Sequence, residues 1–355
     1  MVKNTTEKSR AKDSKQMQSG ATRRGFIASA GAAGVAALAG CMGGTNSGSG
    51  SESGSESQGA TTGSANQQTE ITILLTPENP TEVKKDYMPM KKYLEDQISD
   101  LKVNYRVPLD YSAILPALKS EQAEMGMDDI TLIAASDKMD VMGTAVTGGT
   151  AFYYSMMMKK PGNDISTPAD VEGKTMAFAD PLSTSGSIYA LYELKNAGLE
   201  IGEAPGSDEG ADFQGSWSNH KAAIEQLIND KADACTTWGG NGVPYVPKGD
   251  LPSEVKEKSA YVDEAGSKSP ELDVFLWSEP IPKQPFYTRK TWDDPMRDTI
   301  KKTLHEATDS KMEQYKGDDY DGALPFTTLQ DTTMDDYQPI IKRVNELGID
   351  LTQDE

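Results

Sequence analysis

Residues 175–189 run Thr175-Met176-Ala177-Phe178-Ala179-Asp180-Pro181-Leu182-Ser183-Thr184-Ser185-Gly186-Ser187-Ile188-Tyr189. Met176 to Ala179 form a short apolar run of the kind that makes a buried strand, and Asp180-Pro181 stops it. Ser183, Thr184, Ser185 and Gly186 then lead into a helical stripe of Ile188, Leu191, Tyr192 and Leu194, with Gly198 as the stop. The first turn of a helix leaves backbone N–H groups without partners, and the helix dipole favours negative charge there. Hydroxyls add donors, and a glycine lets an oxyanion come close to the backbone. The pattern therefore suits an anion trap. It equally suits a Ser/Thr cap that binds nothing, and the rest of the chain has to decide between the two.

Upstream and downstream, strand and helix alternate. Ile71 to Thr76 read as a buried strand ended by Pro77 and Pro80, followed by a helix carrying Tyr87, Met90, Tyr93, Leu94 and Ile98, with Pro89 near its start. Leu101 to Pro108 alternate as a strand, and Asp110-Tyr111-Ser112 open a helix through Ala113, Leu115, Ala117 and Leu118. Asp128 to Ile133 and Val141 to Thr147 are expected as two more strands. Phe152 to Met158 is an extended run that passes into Pro161-Gly162-Asn163 as a crossover. Beyond it come the opening stretch, a helix from Lys221 to Asn229 and a strand from Ala232 to Thr237. The chain returns through Val274 to Trp277 and Glu279-Pro280-Ile281-Pro282, then makes helices over 294–315 and 335–346. This rhythm predicts an α/β protein with mostly parallel, doubly wound sheets. A chain that leaves one unit, builds another and comes back makes two hinged lobes, here 69–157 plus 277–355 and 158–276. Ligands belong in the cleft between them.

The N-terminus reads as an address. Thr22-Arg23-Arg24-Gly25-Phe26-Ile27 precede an Ala/Gly-rich apolar run to Leu38-Ala39-Gly40-Cys41, which has the form of an export signal over 1–40. The paired arginines resemble a twin-arginine signal, and Leu38 to Cys41 resemble a lipobox that places lipid on the Cys41 sulfur. The apolar run of about 15 residues is short for a membrane span. After Cys41, residues 42–68 are mostly Gly, Ser, Thr, Glu and Gln, a composition that does not bury enough apolar surface to fold, so 41–68 reads as a tether. The expected location is the outer face of the cell membrane, held by lipid.

The chain has 35 Lys and Arg against 55 Asp and Glu, a net charge of −20. Seven basic and two acidic residues fall in 1–40, which leaves 28 against 53, or −25, beyond the signal. That surface repels nucleic acid and suits concentrated salt, from which we expect a halophilic archaeal host. An anion site here must be built locally, from amides and hydroxyls, against the field of the whole protein. With Cys41 assigned to the anchor, Cys235 is the one cysteine left, so neither a disulfide nor a cysteine metal site is available, and it reads as an inert buried thiol. The Met156-Met157-Met158 run reads as strand core, and His305 as a surface residue of an amphipathic helix.

With these pieces in place the chain resembles the phosphonate-binding proteins of ABC importers, within the wider phosphate, phosphite and phosphonate family. The likeness covers Thr69 to about Arg289. Its motifs stand in the family's order: Val107-Pro108-Leu109-Asp110-Tyr111 with Ala113, Ala117 and Leu118; Tyr153-Tyr154-Ser155; Asp170-Val171-Glu172-Gly173-Lys174-Thr175 into Asp180 to Gly186; Gly215-Ser216-Trp217-Ser218-Asn219-His220 before Ala222-Ala223-Ile224; and Ile281-Pro282-Lys283-Gln284-Pro285. The resemblance implies a two-lobed type II periplasmic-binding fold gripping a tetrahedral oxyanion, without cofactor or metal. Ser183, Thr184 and Ser185 would bind its oxygens, His220 would donate from the second lobe, and Tyr111 and Tyr153 would close from the first. The implied partners are the permease and ATPase of an importer.

One departure bears on the ligand. Relatives that take aminoethylphosphonate place acidic side chains around its ammonium group, where this chain has Trp238-Gly239 and Gln284. A carboxylate that pairs with an ammonium is not replaced by Trp or Gln without losing the charge interaction. The expected ligand is therefore phosphate, phosphite or a small alkylphosphonate, with Trp238 and Gln284 lining the site; Asp233 and Glu279 are the acids near enough in sequence to restore amine binding. The alternatives are an aminoethylphosphonate-type ligand, or a sensing partner of a signalling protein. A hydrolase triad of Ser183 or Ser185 with His220 lacks the Gly-x-Ser-x-Gly turn, and two histidines offer no metal cluster, so an enzyme is not expected.

Overall fold

The apolar runs become strands wherever Pro, Gly or Asp bounds them. In the computed structural model residues 68–318, 320 and 324–351 are described. The expected export signal, Cys41 and all but the last residue of the 41–68 tether lie outside the described residues. The strands are β1 Thr69–Leu74, β2 Leu101–Arg106, β3 Met125–Gly126, β4 Met139–Val146, β5 Phe152–Tyr153, β6 Ser155–Lys159 and β7 Thr175–Phe178. After these come β8 Gln214–Trp217, β9 Ala234–Trp238, β10 Asp273–Trp277, β11 Ile281–Pro282, β12 Pro285–Arg289 and β13 Thr328–Gln330.

Two large sheets result. One is six-stranded in the order β13-β4-β12-β3-β1-β2, the other five-stranded in the order β10-β6-β9-β7-β8, and β11 pairs with β5 between them in sequence. Each sheet has a parallel side that ends at an edge strand, β3-β1-β2 in the first and β9-β7-β8 in the second. The remaining ladders are antiparallel, so the sheets are mixed rather than mostly parallel. The reason is topological. β4 runs out of the first sheet and β12 runs back into it, while β6 enters the second and β10 leaves it. Strands that arrive and depart across the same gap must oppose each other.

Three apolar clusters hold these layers. Ile71, Ile73 and Val103 of the first sheet pack on Met90, Tyr93 and Leu94 of the helix Met88–Gln97 and on Ile300 and Leu304 of the helix Met296–His305. In the second sheet Met156, Met158 and Cys235 pack on Ile224 and Leu227 of the helix His220–Ile228. The third cluster joins Phe178, Ile188, Leu191 and Leu194 to Ile114, Leu118, Tyr287, Tyr337 and Val344, and so runs beneath both sheets. Each fully buried Leu, Ile or Phe contributes about 1.5–3 kcal/mol, so the methionine run of β6, wholly buried, is core in the expected sense.

Two elements differ from expectation. Asp128 to Ile133 is not a strand; Asp129–Ala134 is a helix, and Asp128 caps it by accepting the Thr131 N–H at 2.6 Å. The helix expected over 294–315 is two, Met296–His305 and Asp309–Glu313, because Thr308 takes extended backbone and caps the second with its side chain. His305 is not a surface residue either. It is only 22% exposed, and Nε2 lies 2.8 Å from the Met142 carbonyl of β4.

Candidate functional site

β7 ends at Phe178, and the next residues form a tight turn. The Asp180 carboxylate accepts the Leu182 N–H at 2.9 Å, and its carbonyl accepts the Ser183 N–H at 2.9 Å. Ser183 is then the helix cap, its Oγ accepting the Gly186 N–H at 3.1 Å. The first turn, Thr184–Ile188, is wide, of the i→i+5 kind, before the chain settles into the α-helix Tyr189–Asn196. A wide first turn leaves the Thr184 and Ser185 amides with no carbonyl ahead of them in the helix. Gly186 is fixed by space: a β-carbon there would lie 2.2 Å from the Ala179 β-carbon and 2.8 Å from His220 Cε1.

The hydroxyls around this turn are buried and oriented. Thr184 Oγ1 donates to Asp129 Oδ1 at 2.6 Å. The Ser185 carbonyl accepts Ser155 Oγ at 2.5 Å and Thr236 Oγ1 at 3.3 Å, which pins the turn to β6 and β9. His220 opens its helix behind the cap residue Asn219, whose side chain accepts the Ala222 N–H at 2.9 Å. The imidazole Nδ1 accepts the Trp238 N–H at 3.3 Å, with Thr237 Oγ1 also at 3.3 Å. That leaves Nε2 as the protonated nitrogen, 3.2 Å from Ser183 Oγ. Burial pushes the His220 pKa down to about 3, so the ring is a neutral donor.

A cavity of about 300 Å³ opens over these groups, and Tyr111, Tyr153, Ser183, Thr184, Ser185, His220, Trp238 and Gln284 all line it. Tyr111 comes from the short turn after Asp110, and Tyr153 from β5 where that strand pairs with β11. Burial drives both phenols well above their ordinary range, so they are permanent O–H donors at any physiological pH. Gln284 gives its amide N–H to Tyr87 Oη at 2.7 Å. Trp238 stands edge-on to Tyr261, ring centres 5.1 Å apart.

Charged residues also line the cavity: Glu78, Glu82, Asp86, Asp128, Asp129 and Glu264 with Lys221, Lys268 and Lys283, and sequence reasoning assigned none of them a role there. Burial raises Glu78 and Asp129 to about 7, with neighbouring Lys221 and the Thr184 hydroxyl respectively holding them lower than burial alone would. Asp128 accepts Tyr287 Oη at 2.6 Å as well as the Thr131 amide. An Asp-Asp pair ahead of an apolar run is a helix-cap signal and was available in the sequence. Lys283 stands in the Ile281–Pro285 motif, but nothing local in the sequence marks it as buried. Asp233 and Glu279, the acids nearest in sequence, are engaged elsewhere: Asp233 accepts the Thr175 N–H, and Glu279 pairs with Arg343. Among the described residues no group of three or more His, Cys, Asp or Glu side chains is placed to hold a metal ion.

This geometry can do one kind of chemistry well. Amides, hydroxyls, phenols and a neutral imidazole converge on one space, a set that satisfies oxyanion lone pairs without burying a counter-charge.

Comparison with known proteins points the same way. Residues 73–337 match the family described as ABC transporter, phosphonate, periplasmic substrate-binding protein. The phosphate-import protein PhnD of Mycolicibacterium smegmatis is 26% identical over 190 residues, 52% of this chain and 55% of that protein. The chain thus spans about half the length of that curated relative. Among solved structures, a binding protein component of an ABC phosphonate transporter from Pseudomonas aeruginosa superposes with a TM-score of 0.60 at 17% identity, covering 78% of this chain and 85% of that one. PhnD1 of Prochlorococcus marinus in complex with methylphosphonate gives a TM-score of 0.57 at 13% identity, covering 80% and 99%. The fold is that of the type II periplasmic-binding proteins.

Proposed function

The chain belongs to the periplasmic substrate-binding proteins of phosphonate ABC transporters, a family of binders and not of enzymes, and on that premise we propose that it captures a phosphorus oxyanion outside the cell and delivers it to an importer. The observation that carries the proposal is the meeting of the Ser183–Gly186 first turn with the Nε2 edge of His220 in one cavity. Ser183 and Ser185 bind the phosphoryl oxygens with their hydroxyls, Thr184 and Ser185 add their backbone amides, and His220 donates from the start of a second helix. Tyr111 and Tyr153 close over the anion from the lobe of 69–157 plus 277–355, against the lobe of 158–276. Neutral donors hold a doubly charged ligand in a chain whose net charge is −20 because dipoles at helix starts act at contact distance, while burial raises the cavity carboxylates Glu78 and Asp129 to about 7 and so reduces their charge.

The ligand carries no ammonium group. Trp238 and Gln284 stand at the wall, and Asp233 and Glu279 are spent on other partners. Phosphate, phosphite and short alkylphosphonates fit this description. The protein reaches the outer membrane face through a twin-arginine signal and stays there by lipid on Cys41, with an ABC permease and ATPase as its partners.

Calorimetric titration of the purified full chain in high-salt buffer tests this, adding phosphate, phosphite, methylphosphonate and aminoethylphosphonate in turn. Tight binding of an amine-free ligand, weakened at least about tenfold by Ser183→Ala or His220→Ala, is the expected result. Absence of heat with every phosphorus oxyanion overturns it. A second reading rests on Glu78, the half-buried cavity carboxylate that accepts the Asn241 side-chain amide: preference for aminoethylphosphonate, lost in Glu78→Gln, favours that reading.

A further inference from the structure

Lys283 is 3% exposed, and its ammonium nitrogen has no hydrogen-bond partner among the described residues. Among the described residues burial alone acts on it and pulls its pKa down to about 7. The other cavity lysines differ. Lys221 is paired with Glu82, and Lys268 stands over the Tyr245 ring on an exposed segment. A buried, unpaired ammonium is unfavourable by several kcal/mol in the absence of a counter-charge, so its retention asks for a reason.

Its backbone is held firmly. The Lys283 N–H donates to the Ala151 carbonyl at 2.8 Å, and its carbonyl accepts Tyr337 Oη at 3.0 Å. The side chain runs to the Tyr261 ring, with Nζ 5.7 Å from the ring centre. Tyr261 meets Trp238, and the Trp238 N–H meets His220. A continuous wall thus leads from the oxyanion donors to the lysine. The cavity of about 300 Å³ along that wall is far roomier than a bare tetrahedral anion needs, and reaches the size at which pockets take larger organic ligands.

We propose that the preferred ligand is an organophosphonate whose organic arm ends in a carboxylate, the phosphoryl group at Ser183–Gly186 and His220, the arm along Trp238 and Tyr261, and the carboxylate on Lys283. The inference rests on the phosphorus-oxyanion reading above and narrows it. Lys283 also repels an ammonium-terminated arm, which sets this site against aminoethylphosphonate at the same position where Gln284 offers it no charge.

The test pairs ligands of equal arm length on the full chain: phosphonoacetate with ethylphosphonate, and 3-phosphonopropionate with propylphosphonate, alongside methylphosphonate and phosphate. One carboxylate ligand is expected to bind about tenfold or more tighter than its alkyl counterpart, the gain of a charge-assisted hydrogen bond. In Lys283→Met the ratio of carboxylate to alkyl affinity is expected to fall to about one, whatever the change in methylphosphonate affinity. Equal or weaker carboxylate binding in the unaltered chain overturns the proposal, and so does a preference that survives Lys283→Met. Should Lys283→Met lose its circular dichroism, Lys283→Gln serves the same comparison, and the unaltered chain decides by itself. Methylphosphonate binding without a carboxylate preference sinks this inference alone. No binding of any probe sinks the phosphorus-oxyanion reading first, and this one with it.

Discussion

Trp238 gives its backbone N–H to His220 Nδ1 at 3.3 Å, and that single contact decides which face of the imidazole is a donor. Because the amide cannot change roles, Nδ1 must accept, and the ring proton sits on Nε2 toward Ser183 and the cavity. The burial that lowers the His220 pKa to about 3 keeps this tautomer neutral through the physiological range. Nitrogen chemical shifts of a labelled ring are expected to show protonated Nε2 and unprotonated Nδ1, unchanged between pH 5 and 8 in the ligand-free protein, the two sides of the ordinary histidine range. A ring that titrates near 6.5 would be incompatible with this placement. The linkage has a definite sign. The unfolded chain takes up the proton near its ordinary pKa and the folded chain only near 3, so acidification through that window weakens the fold. His220→Ala loses that part of the acid sensitivity.

Asp129 and Thr184 make a second prediction. Thr184 donates to Asp129 across 2.6 Å while the carboxylate is ionised, so its hydroxyl hydrogen is turned away from the cavity and an anionic carboxylate stands beside the oxyanion. Burial raises the Asp129 pKa to about 7. As pH climbs through that value the carboxylate charges, and binding of an anion weakens. Asp129→Asn removes the charge but keeps the shape, so it is expected to bind the same ligand more tightly than the unaltered chain at pH 8 and about equally at pH 6. Comparing the two proteins with one ligand cancels the titration of the ligand itself. A difference that does not change with pH would show that Asp129 does not titrate in this range. The same substitution is expected to raise the melting temperature above pH 7, since the folded state holds its proton more tightly than the unfolded state and loses stability as pH rises from about 4 to 7.

Much of this site was legible before any coordinates, and the reason is local. Ser183 to Gly186 follow a strand and open a helix, so their chemistry is written in neighbouring residues, as is the capping of His220 by Asn219. Asp128 to Ile133 was misread because a six-residue apolar segment has too few turns for its period to separate helix from strand. The cap signal of Asp128 carried the better clue. His305 was misread for another reason: an amphipathic helix tells which face is polar, not that a strand carbonyl at Met142 waits on that face. Lys283 lies in Ile281-Pro282-Lys283-Gln284-Pro285, where nothing nearby distinguishes a buried lysine from a solvated one. Its isolation comes from Tyr261, Tyr337 and Ala151, far away in sequence and assembled only by the tertiary fold.

Gly186 offers a prediction about space rather than charge. A methyl group there meets the Ala179 β-carbon at 2.2 Å, His220 Cε1 at 2.8 Å and Ser183 Oγ at 3.0 Å. None of the three is the loose end of a long side chain, so the helix start has to move. Gly186→Ala is expected to lose about 1–3 kcal/mol of stability and to weaken anion binding, because the displaced atoms belong to two of the donors. Thermal melting and titration read both effects. Normal affinity with normal stability would mean the turn adapts more freely than its contacts suggest.

Arg343 belongs to the framework rather than the site, and that too can be checked. Its guanidinium lies against two rings, 4.1 Å from the centre of Tyr189 and 4.8 Å from that of Tyr192, with Nη1 on the Pro339 carbonyl at 3.0 Å and Nη2 on Glu279 at 3.2 Å. It thereby fastens the C-terminal helix Gln338–Leu347 to the helix Tyr189–Asn196 that grows from the oxyanion turn. The contact with Glu279 contributes little, since that carboxylate is 80% exposed and screened by water. The close approach of the guanidinium to both rings is the larger part, and lysine does not reproduce it. Arg343→Lys is therefore expected to destabilise by about 1–2 kcal/mol, Arg343→Ala by more, and Glu279→Gln by under about 1 kcal/mol. In a domain of this size that corresponds to a melting temperature lower by about 2–8 °C for the lysine variant. Because Arg343 does not line the cavity, affinity for the phosphorus ligand should stay within about twofold in all three. A variant that melts normally yet fails to bind would place Arg343 in the control of the site instead of its support.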